Sequence, residues 1–234
     1  MVRAAISADI IASSSLTGNE IDALTQRIHS LFELIHNYQK KNGLSEVKLR
    51  LVSGDLIECL LYNPQDALRI ALILKTGIKS FPLDPIRQDK YRKAFETYGI
   101  RVAVGVGDMD LSLVDKNIFK GDAISRSGRT IGNQKTSNKE RLIMKNTLFF
   151  DSSSERNNQL FNTIMSLLDF VFSKMTTRQS EIILWRILGY SEKDIASEFA
   201  ITQSSVNQQS RTSGWAAIED AINLYSGFDF QNMG

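Results

Sequence analysis

Residues 3–10 (RAAISADI) form an apolar run that closes on an acid and predict a buried strand. Thr17, with Glu20 three residues on, is a capping box that opens a helix over 20–41. Ile21, Leu24, Ile28, Leu31, Phe32, Ile35 and Tyr38 keep helical period along it. Residues 47–53 alternate as a half-buried strand, Gly54-Asp55 marks a turn, and 56–62 returns as the second arm of a hairpin. Asn63-Pro64 starts a further helix, since proline is tolerated in a first turn. Residues 79–98 carry two of the three prolines and predict a loop followed by a basic helix. Residues 100–106 read as a strand, 108–119 as a strand or hairpin, and 121–132 as a short helix. Strand, helix, hairpin, helix, strand is the order of a ferredoxin-like α+β fold, in which the first strand lies beside the central hairpin. Asp9, at the end of that strand, then faces Asp55 in the hairpin turn.

The period changes after residue 150. Ser152 with Glu155 predicts a capped helix running to about residue 174. Leu160, Phe161, Ile164, Leu167, Leu168, Val171 and Phe172 give it an apolar face too wide for a solvated linker. A support helix follows over 178–188, capped by Thr177 and closed by Gly189. Ser191 caps a second helix over 192–199, with Asp194 three residues on. Residues 200–202 turn the chain, Ile201 points inward, Thr202 caps a third helix, and Val206 is its buried anchor. Trp215, Ile218, Ala221, Ile222 and Leu224 supply one more apolar face. The pattern divides the chain into an α+β domain over 1–150 and an all-α helix-turn-helix domain over 151–234. On the third helix Gln203, Ser204, Ser205, Asn207, Gln208 and Arg211 face outward. Asn, Gln and Arg match base edges and Ser matches phosphate, so these six are the expected DNA contacts. A merely solvated polar helix is the alternative.

Composition changes that picture in one respect. The 234 residues, 42% hydrophobic and 23% charged, are ordinary for a globular protein of two small domains. From Glu155 onward, however, nine acidic side chains stand against six basic ones. Phosphate attraction supplies most nonspecific affinity for DNA. Strong binding therefore calls for a homodimer, for help from the first domain, or for a protein partner such as RNA polymerase. Lys116, Lys120, Arg126, Arg129, Lys135, Lys139, Arg141 and Lys145 form a basic stretch suited to phosphates. No apolar run reaches membrane-span length, the start of the chain lacks a signal-peptide layout, and Cys59 has no partner for a disulfide, so a cytoplasmic location without a membrane is expected. His29 and His36 lack further ligands at metal spacing.

SADIIASS followed by LVSGDLIECLL resembles the two metal-binding segments of class III nucleotidyl cyclases and related palm domains. The resemblance puts Asp9 and Asp55 on the metal aspartates and implies Mg²⁺ as cofactor. GDAISRSGRTIG is similar to the segment that supplies phosphate contacts; it places Ser125 where cyclases have Asn and Arg129 on the arginine that steadies phosphate charge. Leu51 stands where many of those enzymes carry a purine-selecting lysine. Over nearly its whole length the chain is similar to the SatD family of small bacterial proteins, and its last third resembles the LuxR and sigma region 4 class. The expected function is a DNA-binding transcriptional regulator whose first domain senses a nucleotide or another phosphorylated ligand. The alternatives are a two-metal nucleotidyl cyclase or nucleotidyltransferase with a targeting helix-turn-helix, and a protein–protein adaptor. No residue is assigned a catalytic role.

Overall fold

The computed structural model describes residues 1–83, 90–133 and 146–231. Its elements run β1 (Arg3–Ile10), α1 (Gly18–Asn42), β2 (Val47–Val52), β3 (Leu56–Leu61), α2 (Ala67–Lys79), α3 (Lys90–Tyr98) and β4 (Ile100–Gly107). A two-strand ribbon of β5 (Met109–Asp110) and β6 (Lys120–Gly121) leads into α4 (Asp122–Asn133). Then come β7 (Leu148–Asp151), α5 (Glu155–Lys174), α6 (Thr177–Ile187), α7 (Glu192–Glu198), α8 (Gln203–Thr212) and α9 (Trp215–Ser226).

The main sheet has the order β2-β3-β1-β4-β7. β1 is antiparallel to both β3 and β4, and β2 pairs antiparallel with β3. These four strands have the order that a ferredoxin-like βαββαβ unit requires. β7 extends the sheet by pairing parallel to β4, and the boundary expected after residue 150 falls within this strand. The expected strand or hairpin over 108–119 is the short β5/β6 ribbon with a 3-10 turn at Val114–Lys116.

Strand alternation gives the sheet two different faces. Ala4, Ile6, Ala8 and Ile10 of β1 point into the apolar core with Ile57, Cys59, Leu61, Val102, Val104 and Val106. Apart from Arg69, every residue of α2 is buried, Lys75 and Lys79 included. The same core includes Phe161, Met165, Leu168 and Phe172 of α5, Ile183, Leu184 and Ile187 of α6, and Ile218, Ala221, Ile222 and Tyr225 of α9. One apolar cluster thus runs from the sheet through α2 into the last third of the chain. Arg69 crosses that contact and donates to the Ile187 carbonyl (2.9 Å) at the end of α6. The C-terminal segment returns to the start of β1, where Gln231 exchanges side-chain hydrogen bonds with the Val2 backbone (3.2 and 3.3 Å).

A buried polar knot fastens α5 to the sheet. Asp169 accepts hydrogen bonds from the Thr147 backbone N–H and hydroxyl, and Lys75 Nζ lies 3.4 Å from its carboxylate. Lys75 also donates to the carbonyls of Tyr98 and Ile100, each at 2.9 Å, and to Thr147 Oγ1. Burial lowers the Lys75 ammonium to about 8, with the nearby Asp169 charge opposing that shift. Lys79, beside it, is lowered to about 8, first by burial and then by the Lys75 charge.

Several details differ from the sequence reading. The cap of α5 is Ser154, which accepts from Asn157 N–H, while Ser152 turns to Asn158. Thr176 rather than Thr177 caps α6, because Gln179 sits three residues after it and completes the box. Of the apolar face expected on α5, Leu160 and Leu167 are exposed at 43% and 65%; Phe170, outside that face, is exposed at 65% as well. Leu224 on α9 is likewise exposed. No described helix is long and apolar enough to cross a membrane.

Candidate functional site

The outer face of α8 is built from the inside. α6, α7 and α8 enclose a small separate core of Ile182, Ile195, Ala196 and Val206, with Trp185, Phe199 and Ile201 packed against it. Ser191 and Asp194 form a reciprocal capping box on α7, and Thr202 accepts from Ser205 N–H to cap α8. Between them Ala200 adopts a left-handed conformation (φ 51°), which reverses the chain sharply enough for α8 to cross α7. Val206 and Ser210 are the only buried residues of α8. Gln203, Ser204, Asn207, Gln208 and Arg211 are exposed together, and Ser205 is half-buried. Asn207 donates to Glu192 of α7 (3.1 Å), so one acid stands at the edge of this polar face.

The second site is at the far end of β1. In register, Asp9 lies between Leu56 of β3 and Arg101 of β4. Its carboxylate accepts a hydrogen bond from the Arg101 guanidinium; the side chains are 6% and 18% exposed. The next residue, Ile10, donates its N–H to the carbonyl of Asp55 (3.0 Å). Ser53 and Gly54, at φ 56° and 77°, turn the hairpin, and Asp55 Oδ2 accepts from the Ser13 hydroxyl (3.0 Å). The two acids predicted from the sequence thus share one end of the sheet.

α4 lies over the same face of the sheet. Ser7, two residues before Asp9, is hydrogen-bonded hydroxyl to hydroxyl with Ser127 (2.9 Å). This close approach depends on Gly105, where an added Cβ would lie 2.1 Å from the Ala123 carbonyl oxygen. Ser125 and Arg129 are on the outer side of α4, both exposed. The Ser125 hydroxyl donates back to the Gly121 carbonyl (2.8 Å), and Arg129 has no ion-pair partner among the described residues. Arg126 is committed to Asp122, Asp151 and the Ser152 carbonyl. Lys135, Lys139, Arg141 and Lys145 of the expected basic stretch lie outside the described residues.

Two carboxylates and a hydroxyl are oxygen donors of the kind Mg²⁺ takes. The arrangement nevertheless does not fit a metal as it stands. Asp9 is already neutralised by Arg101, and among the described residues no third acid, histidine or cysteine joins the pair. Arg101 is the residue the sequence reading missed. Its signal was available: it is the polar break in the apolar run IRVAVGVG, on the side of the strand opposite Ile100 and Val102.

No protein-family model matches the chain, and no curated protein matches it. Among solved structures it is similar to two chains described as a bacterial light-regulated adenylyl cyclase. The first match has 18% identity and a TM-score of 0.38, covering 64% of this chain and 43% of that one. The second has 18% identity and a TM-score of 0.33, covering 64% and 74%. The match therefore spans less than half the length of the first cyclase chain.

Proposed function

We propose that this protein is a DNA-binding transcriptional regulator that presents α8 to the major groove, with α7 and α8 acting as a helix-turn-helix. The observation that carries this reading is the one-sidedness of α8. Its buried residues, Val206 and Ser210, face the rest of the protein, while amide and guanidinium side chains line the free face. The module's acid excess means that one copy holds DNA weakly. A homodimer on two half-sites, or a bound RNA polymerase, supplies the remainder. The strand end with Asp9 and Asp55 is the place for a nucleotide or phosphorylated effector, with Arg129 of α4 as its phosphate contact. Selection of duplexes from a random pool by the full chain, followed by fluorescence anisotropy, tests the reading. Arg211→Ala should weaken binding by about 1–3 kcal/mol with relaxed specificity if Arg211 reads a base. If it meets a phosphate, the loss is uniform and the salt slope smaller. Retention of no duplex at low salt by micromolar protein would sink the proposal.

A second reading, nucleotidyl cyclase or nucleotidyltransferase chemistry, is favoured by the adjacency of Asp9 and Asp55. The Arg101 pair, Ser125 and Leu51 weigh against it. Product formation from nucleoside triphosphates with Mg²⁺, lost in Asp55→Asn, would establish it.

A further inference from the structure

We propose that Arg101 is the fixed cation of the strand-end site, standing where a divalent metal would otherwise balance Asp9, so that the site holds its charge without metal. This inference is independent of DNA binding by α8.

Three observations carry it. Asp9 and Arg101 are direct cross-strand partners in the middle of the sheet order, so the pairing is fixed by the register of β1 against β4 rather than by a mobile loop. Both side chains are largely withdrawn from water, Asp9 at 6% and Arg101 at 18% exposure. A carboxylate so placed requires a counter-charge, since an unpaired buried ion is costly. Asp55, the second acid, is separately engaged by the Ser13 hydroxyl.

Arginine suits this role better than a metal or a lysine. Its guanidinium is covalently part of the chain, so the counter-charge cannot be removed by chelation. It also repels an incoming cation. A divalent ion on Asp9 would have to share the carboxylate with the Arg101 charge beside it. Phosphate groups arriving at this end would then meet arginine directly, with no metal bridging them to the acids.

The test uses Mn²⁺ alone, followed by the paramagnetic resonance signal of the free ion, with the full chain. The parent protein should take up no Mn²⁺ that Asp9→Asn abolishes, even at millimolar metal. Arg101→Gln should create a stoichiometric Mn²⁺ site, and Asp9→Asn added to it should remove that site. If Arg101→Gln fails to fold in metal-free buffer, Mn²⁺ should restore its helical circular dichroism. Uptake by the parent chain that is lost in Asp9→Asn overturns the proposal. So does an Arg101→Gln protein that, folded or refolded, takes none.

Discussion

Asp169→Ala should be among the most damaging single changes in the chain, and its cost should depend on pH. The substitution removes the carboxylate that receives Thr147 N–H and hydroxyl and leaves Lys75 buried without its counter-ion. Removing one partner of a buried pair costs about 3–5 kcal/mol. The sign of the pH effect follows from Lys75. Its folded value is lowered to about 8 from an ordinary 10.5, so between those values the unfolded chain binds more protons. Stability contributed by this group therefore rises with pH across that window and is least below it. Without Asp169 the opposing influence is gone, Lys75 falls further, and the window widens downward. The penalty of Asp169→Ala should thus be larger at pH 7 than at pH 9. Lys79 feels both the Lys75 charge, which lowers it, and the Asp169 charge, which raises it, so the pH dependence belongs to the cluster rather than to Lys75 alone. Urea unfolding followed by circular dichroism at the two pH values measures this. A penalty below about 1 kcal/mol, typical of an exposed pair, or one equal at both pH values, would refute the reasoning.

Two further outcomes are expected. If Leu160, Leu167 and Phe170 mark a homodimer surface, light scattering at micromolar concentration should give twice the 26.3 kDa chain mass, and Leu167→Asp should return it to the monomer with unchanged melting; such a contact should bury at least about 1,000 Å² in total, and a monomeric parent removes it. Gly105→Ala should destabilise by about 1–3 kcal/mol in chemical denaturation, since overpacking forces α4 off the sheet; no change would mean that α4 yields freely.

The legibility of this chain depended on how local each feature is. α8 could be read because its period, its Thr202 cap and its single apolar anchor, Val206, lie within a few residues of one another. Asp9 and Asp55 could be placed together because the order of strands and helices already brings β1 beside the β2–β3 hairpin. The Asp9–Arg101 pair depends on the register between strands about ninety residues apart in sequence, which no local pattern encodes. β7 was missed for a related reason: LFFD is only four residues long, and its partner is a parallel strand reached through a long connection. On α5 hydrophobicity marks more residues than the fold covers; Leu160 and Leu167 face away because the sheet and α9 take only one side of the helix. Lys75 and Asp169 are single charges inside apolar helical runs, visible as anomalies in the sequence but joined only by packing.

The return of the chain to its own beginning has a consequence for synthesis. Gln231 bonds to the backbone of Val2, and the apolar cluster against α2 is completed by α5, α6 and α9. On the ribosome, the sheet is translated long before the helices that cover α2. At 5–20 residues per second, the stretch from residue 152 to residue 231 takes roughly 4–16 s to appear. Throughout that interval the nascent sheet exposes the apolar outer side of α2, a surface open to chaperones or to a neighbouring nascent chain. Stop codons or stalls between codons 152 and 231 should therefore yield sticky, protease-sensitive fragments rather than a folded sheet lacking α5 to α9.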